Sequence, residues 1–212
     1  MNLKERSGRK EENQHAFLSP SKYAWVNSDP DDILDKYVNS FATAVGTGLH
    51  EYAAKLIGMG FWLRKHDINS AYIWLRCVNG IPDFAFDVKK VYPNLMHYVN
   101  DAIEFHMEPE KKLWYSDNCF GTADAVSFKN GLLRIHDLKT GDTPAHMEQL
   151  EIYSALYCLE NDIPDPGHIG MELRIYQNDE VLTHTPEPDV IAEIMDKIVV
   201  LDRAIEKKKQ EG

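Results

Sequence analysis

Two aspartates and a lysine, Asp124, Asp137 and Lys139, stand in this 212-residue chain at spacings that a β-hairpin would bring together. Apolar and β-branched residues fill both halves of the stretch from Gly121-Thr122-Ala123-Asp124 to Asp137-Leu138-Lys139-Thr140-Gly141, and Lys129-Asn130-Gly131-Leu132 lies between them. Asn-Gly is the strongest short hairpin signal, because both positions accept a positive φ. With Asn130 and Gly131 as the turn, Lys129 faces Leu132 and Asp124 falls opposite Asp137, their Cβ atoms about 5 Å apart. Alternation with period two puts Lys139 on the face of Asp137, above an apolar floor of Val126, Phe128, Leu133 and Ile135. Carboxylates this close repel unless a cation or a raised pKa compensates. A divalent metal resolves the conflict, and oxygen ligands favour magnesium or manganese over zinc. A nearby lysine can steady the charge that develops when a phosphodiester is attacked. An isolated D-x-K tripeptide is more often a solvated salt bridge, so the rest of the chain has to support the chemistry.

The elements that would position these residues are legible in outline. Residues 1–17 are polar and charged and read as a mobile arm, and residues 18–212 as one domain. Its helical part spans about 18–104, its sheet core about 105–186 and its C-terminal helix about 187–210. Ser19 or Ser21 can cap a short helix anchored by Tyr23 and Trp25, and Asp29-Pro30-Asp31-Asp32 carries helix-start chemistry. From Ile33 to Met59 the pattern is helical, with Gly46 and Gly48 marking either a break or a close backbone approach. His50-Glu51 opens an H-E-x-x-H pattern, but Ala54 stands where the second histidine should be, which excludes a zincin. Ala71–Val78 and Phe84–His106 continue helical, with Asp83 as a cap and Pro93 as a kink. Phe105–Tyr115 supplies a first strand before the hairpin. Thr143-Pro144 should then open a helix to about Glu160. Ile169–Tyr176 and Glu180–Thr185 read as strands, and a helix from Pro188 ends in three lysines that complement its dipole. The order implies an α/β fold with a mixed sheet.

Composition narrows the class. Hydrophobic content of 43% and charged content of 27% are ordinary for a globular protein, and no apolar run approaches the length of a membrane span. No apolar targeting segment follows the charged N-terminus, so a cytoplasmic location is expected. Cys77, Cys119 and Cys158 are too widely spaced for a disulfide framework or a compact zinc site. A net charge of −11 argues against a broad DNA-coating surface and leaves room for a local cleft where metal ions supply positive charge.

Gly121-x-x-Asp124, Asp137-x-Lys139, and Gln149-x-x-x-Tyr153, preceded far upstream by Gly46-Thr47-Gly48-Leu49-His50, form an ordered set over about residues 18–153. This set resembles the PD-(D/E)XK nuclease superfamily, and within it the RecB-like branch of helicase-linked, CRISPR-associated and phage exonuclease domains. The resemblance implies a restriction-endonuclease-like core with a central mixed sheet flanked by helices, elaborated by N-terminal helices. It implies His50, Asp124 and Asp137 as ligands of one or two Mg²⁺ or Mn²⁺ ions, with the backbone carbonyl of Leu138 beside them. Lys139 would orient or activate the attacking water, and Gln149 and Tyr153 would position the lysine or the nucleic-acid backbone. Some branches hold an iron–sulfur cluster through four cysteines, and with three scattered cysteines none is expected. The implied function is a metal-dependent deoxyribonuclease, with exonuclease as the expected mode, in phage or bacterial DNA recombination, repair or processing. DNA is the expected partner, alongside a recombination or replication protein, with no membrane involved. The alternative is a non-catalytic nucleic-acid or protein-binding module that keeps the fold. Glu108 and Glu110 could approach the active edge of the sheet from the preceding strand, with a solvated face as the favoured reading; Glu51 reads as lying outside the ligand set, and His136 as a packing residue on the opposite face from Asp137.

Overall fold

The computed structural model describes residues 16–211. The expected arm at 1–17 lies outside these except for Ala16 and Phe17. The chain divides into two compact units, at Phe41 and Ala42. In the first, a 3₁₀ segment (Pro20–Asn27) precedes helix α1 (Pro30–Asn39). Asp29 caps α1 by accepting a hydrogen bond from the Asp31 N–H at 2.9 Å, and Pro30 occupies the first turn. Ser19 does not cap with its side chain: its hydroxyl pairs with that of Ser21, and its carbonyl accepts from Trp25 Nε1. Tyr23, expected as an anchor, is 76% exposed.

The second unit starts with α2 (Ala42–Met59). The helical run breaks before α2 and not at its glycines, which serve close approach instead. A Cβ on Gly48 would meet Leu75 Cδ2 at 3.0 Å and Asn79 Oδ1 at 3.1 Å. Helix α3 (Ile68–Ile73) runs into a single π-helical turn at Trp74–Val78. Helix α4 (Val88–Glu104) contains Pro93 and is capped by Asp87, which accepts from the Lys89 N–H. Asp83, the expected cap, sits in a separate 3₁₀ turn and pairs with Arg76 at 3.1 Å, because extended Phe86 interrupts the helix.

Strands β1 (Glu108–Ser116), β2 (Cys119–Lys129) and β3 (Leu132–Leu138) are followed by α5 (Glu148–Glu160), β4 (Gly170–Gln177), β5 (Glu180–His184) and α6 (Pro188–Gln210). The sheet order is sequential, and every pairing is antiparallel except β3 with β4, which α5 connects as a parallel crossover. Asn130 and Gly131 have φ of 54° and 75°, as a two-residue hairpin turn requires, and Asn178 and Asp179 repeat the device. The expected helix start at Thr143-Pro144 is corrected: α5 begins at Glu148. The buried Gln177 side chain donates to the carbonyls of Gly141 and Thr143 and accepts from the Ala145 N–H, so this backbone is satisfied as a loop.

Two apolar cores lie within this unit, one on each face of the sheet. Leu49, Tyr52, Leu56, Leu75, Leu95, Tyr98 and Val99 pack with Ala125, Leu138 and Tyr176 on one face. Val126, Leu133, Ile135, Leu173 and Ile175 pack with Leu150 and Leu156 of α5 and Ile191 and Met195 of α6 on the other. The architecture is α/β, a mixed five-stranded sheet flanked by helices. No helix among the described residues is long and apolar enough to cross a membrane.

Candidate functional site

The β2–β3 ladder keeps the expected register from Lys129–Leu132 to Ala125–His136, and pairing ends one step before Asp124 and Asp137. There the alternation of β2 also breaks. Ala123 packs into the α5 core, yet Ala125, two residues on, packs into the α2 core. Asp124 sits at this reversal and reaches both ways. Its Oδ2 accepts from the Leu138 N–H at 2.8 Å, and its Oδ1 lies 3.3 Å from His50 Nδ1 on α2. Leu138 thus gives its N–H to Asp124, a bond independent of the role expected of its carbonyl.

Glu110 joins them from β1. Pro109 pairs with Ala125 and Lys111 with Ala123, which brackets Glu110 beside Asp124, and its φ of 51° is left-handed. One ligand atom each from His50, Glu110 and Asp124 lie within 4.8 Å of one another. Donors on opposite sides of a divalent ion are separated by about 4–5 Å, so these three atoms are close enough to share one ion. Glu110 is exposed, as the favoured solvated reading of the sequence expects, and it also approaches the active edge of the sheet, where it joins the group.

Asp137 lies outside that 4.8 Å group. Its side chain, 6% exposed, has Oδ1 3.1 Å and Oδ2 2.9 Å from Lys139 Nζ. Oδ2 is buried and makes no hydrogen bond among the described residues, and the cation beside it is the Lys139 ammonium. Lys139 Nζ also donates to Gln149 Oε1 at 2.9 Å. Gln149 Nε2 lies 3.4 Å from the Tyr153 hydroxyl, which donates to the Thr122 carbonyl at 2.8 Å. Gln149 and Tyr153, one turn apart on α5, thereby tie the lysine to the strand that carries Asp124. Gly121 makes room for this: a Cβ there would stand 2.8 Å from Tyr153 Cε1.

The electrostatics reflect crowded acids. Burial and the Asp124 charge push the Glu110 carboxyl above its ordinary value, despite His50. Burial and Asp124 also raise Asp137, against the hydrogen bond and charge of Lys139. Burial disfavours protonated His50, but its hydrogen bond to Asp124 and the fields of Asp124, Asp137 and Glu110 win, so its pKa rises. Burial raises the Tyr153 hydroxyl as well. His136, on the other face, is fully buried and pushed down to about 3 by desolvation and by Arg174 and Arg134.

A cleft of about 860 Å³ opens over the group, lined by Thr47, His50, Glu51, Lys55, Trp74, Glu110 and Asp124 among others. Glu51 accepts from Asn79 Nδ2 at 3.3 Å and stays outside the 4.8 Å group. Cys77 is exposed, Cys119 half-buried and Cys158 buried, all as free thiols.

No family model matches the chain, and no curated protein matches it. Among solved structures, the crystal structure of SSO0001 matches with a TM-score of 0.30 and 12% identity, over 74% of this chain and 86% of that one.

Proposed function

We propose that the protein is a magnesium- or manganese-dependent nuclease of the RecB-like type that hydrolyses phosphodiester bonds in DNA. Its expected setting is exonucleolytic recombination, repair or processing of phage or bacterial DNA in the cytoplasm, with a recombination or replication protein as partner. The observation that supports this reading is the convergence of three ligand atoms within 4.8 Å, from His50, Glu110 and Asp124, close to a lysine held by an acid and an amide.

In this reading His50, Glu110 and Asp124 hold the ion, with Asp137 and the Leu138 carbonyl at its margin. A bound ion would polarise a phosphoryl oxygen and lower the pKa of an attacking water. Lys139 has three donors, and Asp137 and Gln149 take two. The third is free to hold the water or a non-bridging oxygen in line for attack. Tyr153, anchored on the Thr122 carbonyl, fixes Gln149 and so fixes the ammonium.

The test is incubation of the purified protein with linear and circular, single- and double-stranded DNA, in Mg²⁺, Mn²⁺ or chelator. Cleavage that needs the metal is expected, with Lys139→Ala lowering the rate about 100-fold or more while leaving metal affinity in place. Intact DNA in every condition, or undiminished cleavage by Lys139→Ala, would overturn the reading.

A further inference from the structure

The cleft has a second end. Thr47, His50, Glu51, Ala54 and Lys55 all line it, and their spacing of three, four, seven and eight residues defines one face of α2. Lys55 follows His50 by five residues, a rise of about 7.5 Å along the helix. Its ammonium stands 4.6 Å from the centroid of the Trp74 ring, which lines the same cleft. Trp74 begins the π-helical turn, a device that re-aims side chains, and its ring packs against Tyr52 at 5.4 Å. The Tyr52 hydroxyl is in turn fixed to Ser70 Oγ at 2.6 Å.

Lys55 is therefore held in place without being neutralised. It makes no ion pair among the described residues, and among the residues lining the cleft, which include Glu51, Glu110 and Asp124, it is the one permanent cation. An indole face attracts an ammonium by its quadrupole and leaves the ammonium's hydrogens available. A compact ammonium in this setting suits a phosphate oxygen.

We propose that Lys55, braced over Trp74, binds a backbone phosphate of the nucleic-acid strand neighbouring the one under attack, so that the strand lies along α2. This assignment rests on the nuclease reading and adds a subsite to it. Lys55 touches the strand away from the reacting phosphate and is a binding residue.

The experiment is fluorescence anisotropy with a fluorescein-labelled single-stranded DNA 12-mer, in a Lys139→Ala background with Mn²⁺ so that the strand is not consumed. Each phosphate contact to a single strand contributes about 0.7 to the slope of log K against log salt. Adding Lys55→Gln should weaken binding about tenfold at low salt and reduce that slope by about 0.7. Lys129→Gln, at the far turn of the hairpin, should leave the slope unchanged, and calorimetric Mn²⁺ affinity should be the same with and without Lys55→Gln. A Lys55→Gln slope equal to its parent's, in a protein whose wild type cleaves DNA, overturns this subsite and leaves the nuclease reading standing. A parent that binds no strand, with a wild type that cleaves none, overturns both.

Discussion

Glu110 is the residue at which the structure departs furthest from what its neighbours in sequence suggest. In the run Glu108-Pro109-Glu110-Lys111 both acids look solvated and both are exposed, Glu108 pairing with Lys111 at 2.8 Å. Glu110 instead faces Asp124 and His50, and its raised pKa means that its charge opposes folding when no cation is present. Glu110→Gln should stabilise the metal-free protein slightly, by less than about 1 kcal/mol because the group is exposed and screened, seen as a small rise in melting temperature. The same variant should bind Mn²⁺ at least about tenfold more weakly, as measured by calorimetry. An unchanged Mn²⁺ affinity would remove Glu110 from the ligand set. His50 gives a pH signature. Only neutral imidazole ligates a metal, and its pKa is raised, so Mn²⁺ affinity should fall as pH drops through and below that raised value and level off above it. An affinity flat from about pH 5.5 to 8.5 would exclude His50 as a ligand.

At the scale of elements, two devices hold the group together, and each can be broken singly. The strand that carries Asp124 accepts Tyr153 only because Gly121 lacks a Cβ. Gly121→Ala should push the Tyr153 ring off the strand, break its bond to the Thr122 carbonyl and cost about 1–3 kcal/mol in urea unfolding. On the proposed nuclease reading it should also lower cleavage by loosening Gln149 and Lys139, and full activity would show that the tyrosine anchor is dispensable. The second device is the loop after Lys139, where one side chain, Gln177, satisfies three backbone groups. Gln177→Ala should leave those groups unpaired, cost about 1–3 kcal/mol and speed hydrogen exchange at Ala145. Protection at Ala145 equal to wild type would contradict this role. The helix expected from Thr143-Pro144 failed for the same reason: a residue 34 positions later, counting from Thr143 to Gln177, donates to the Thr143 carbonyl that a helix would pair with an N–H one turn on, and accepts from the Ala145 N–H.

For the molecule as a whole, the buried seam between sheet and helices contributes to the response to acid. The Tyr176 hydroxyl donates its single hydrogen to Asp101 Oδ2 at 2.7 Å, so it accepts from His136 Nδ1–H at 3.0 Å. That leaves Nε2 buried without a hydrogen-bond partner among the described residues, in the field of Arg134 and Arg174. His136 stays neutral in the fold down to about pH 3, whereas in the unfolded chain it takes up a proton near its ordinary value of 6.5. Between these values the unfolded state binds the extra proton. Stability from this group is therefore complete above about pH 6.5 and falls by up to about 1.4 kcal/mol per unit as pH drops. Urea midpoints from pH 7.5 to 4.5 should decline, and His136→Gln should make the decline shallower. Equal slopes in the two proteins would show that other groups dominate.

The sequence by itself determined the central hairpin, because Asn130-Gly131 demands positive φ and fixes the pairing from Lys129–Leu132 outward. It also determined the alternation that separates His136 from Ile135, and the strand pair joined at Asn178-Asp179. These are local properties, written in turn residues and period-two patterns. Glu110 was different. Ser116 faces Cys119 across the β1–β2 turn, and uninterrupted pairing from there would set Glu110 against Ala125. A bulge between Trp114 and Ser116 shifts the register by one and delivers Glu110 to Asp124 instead. The bulged turn is gripped by α6, where Asp202 accepts from Ser116 Oγ and Asn118 Nδ2, more than 80 residues away. Long-range contacts of this kind leave no periodic trace in the chain, so which acid joins His50 was decided only when sheet and helices closed on one another.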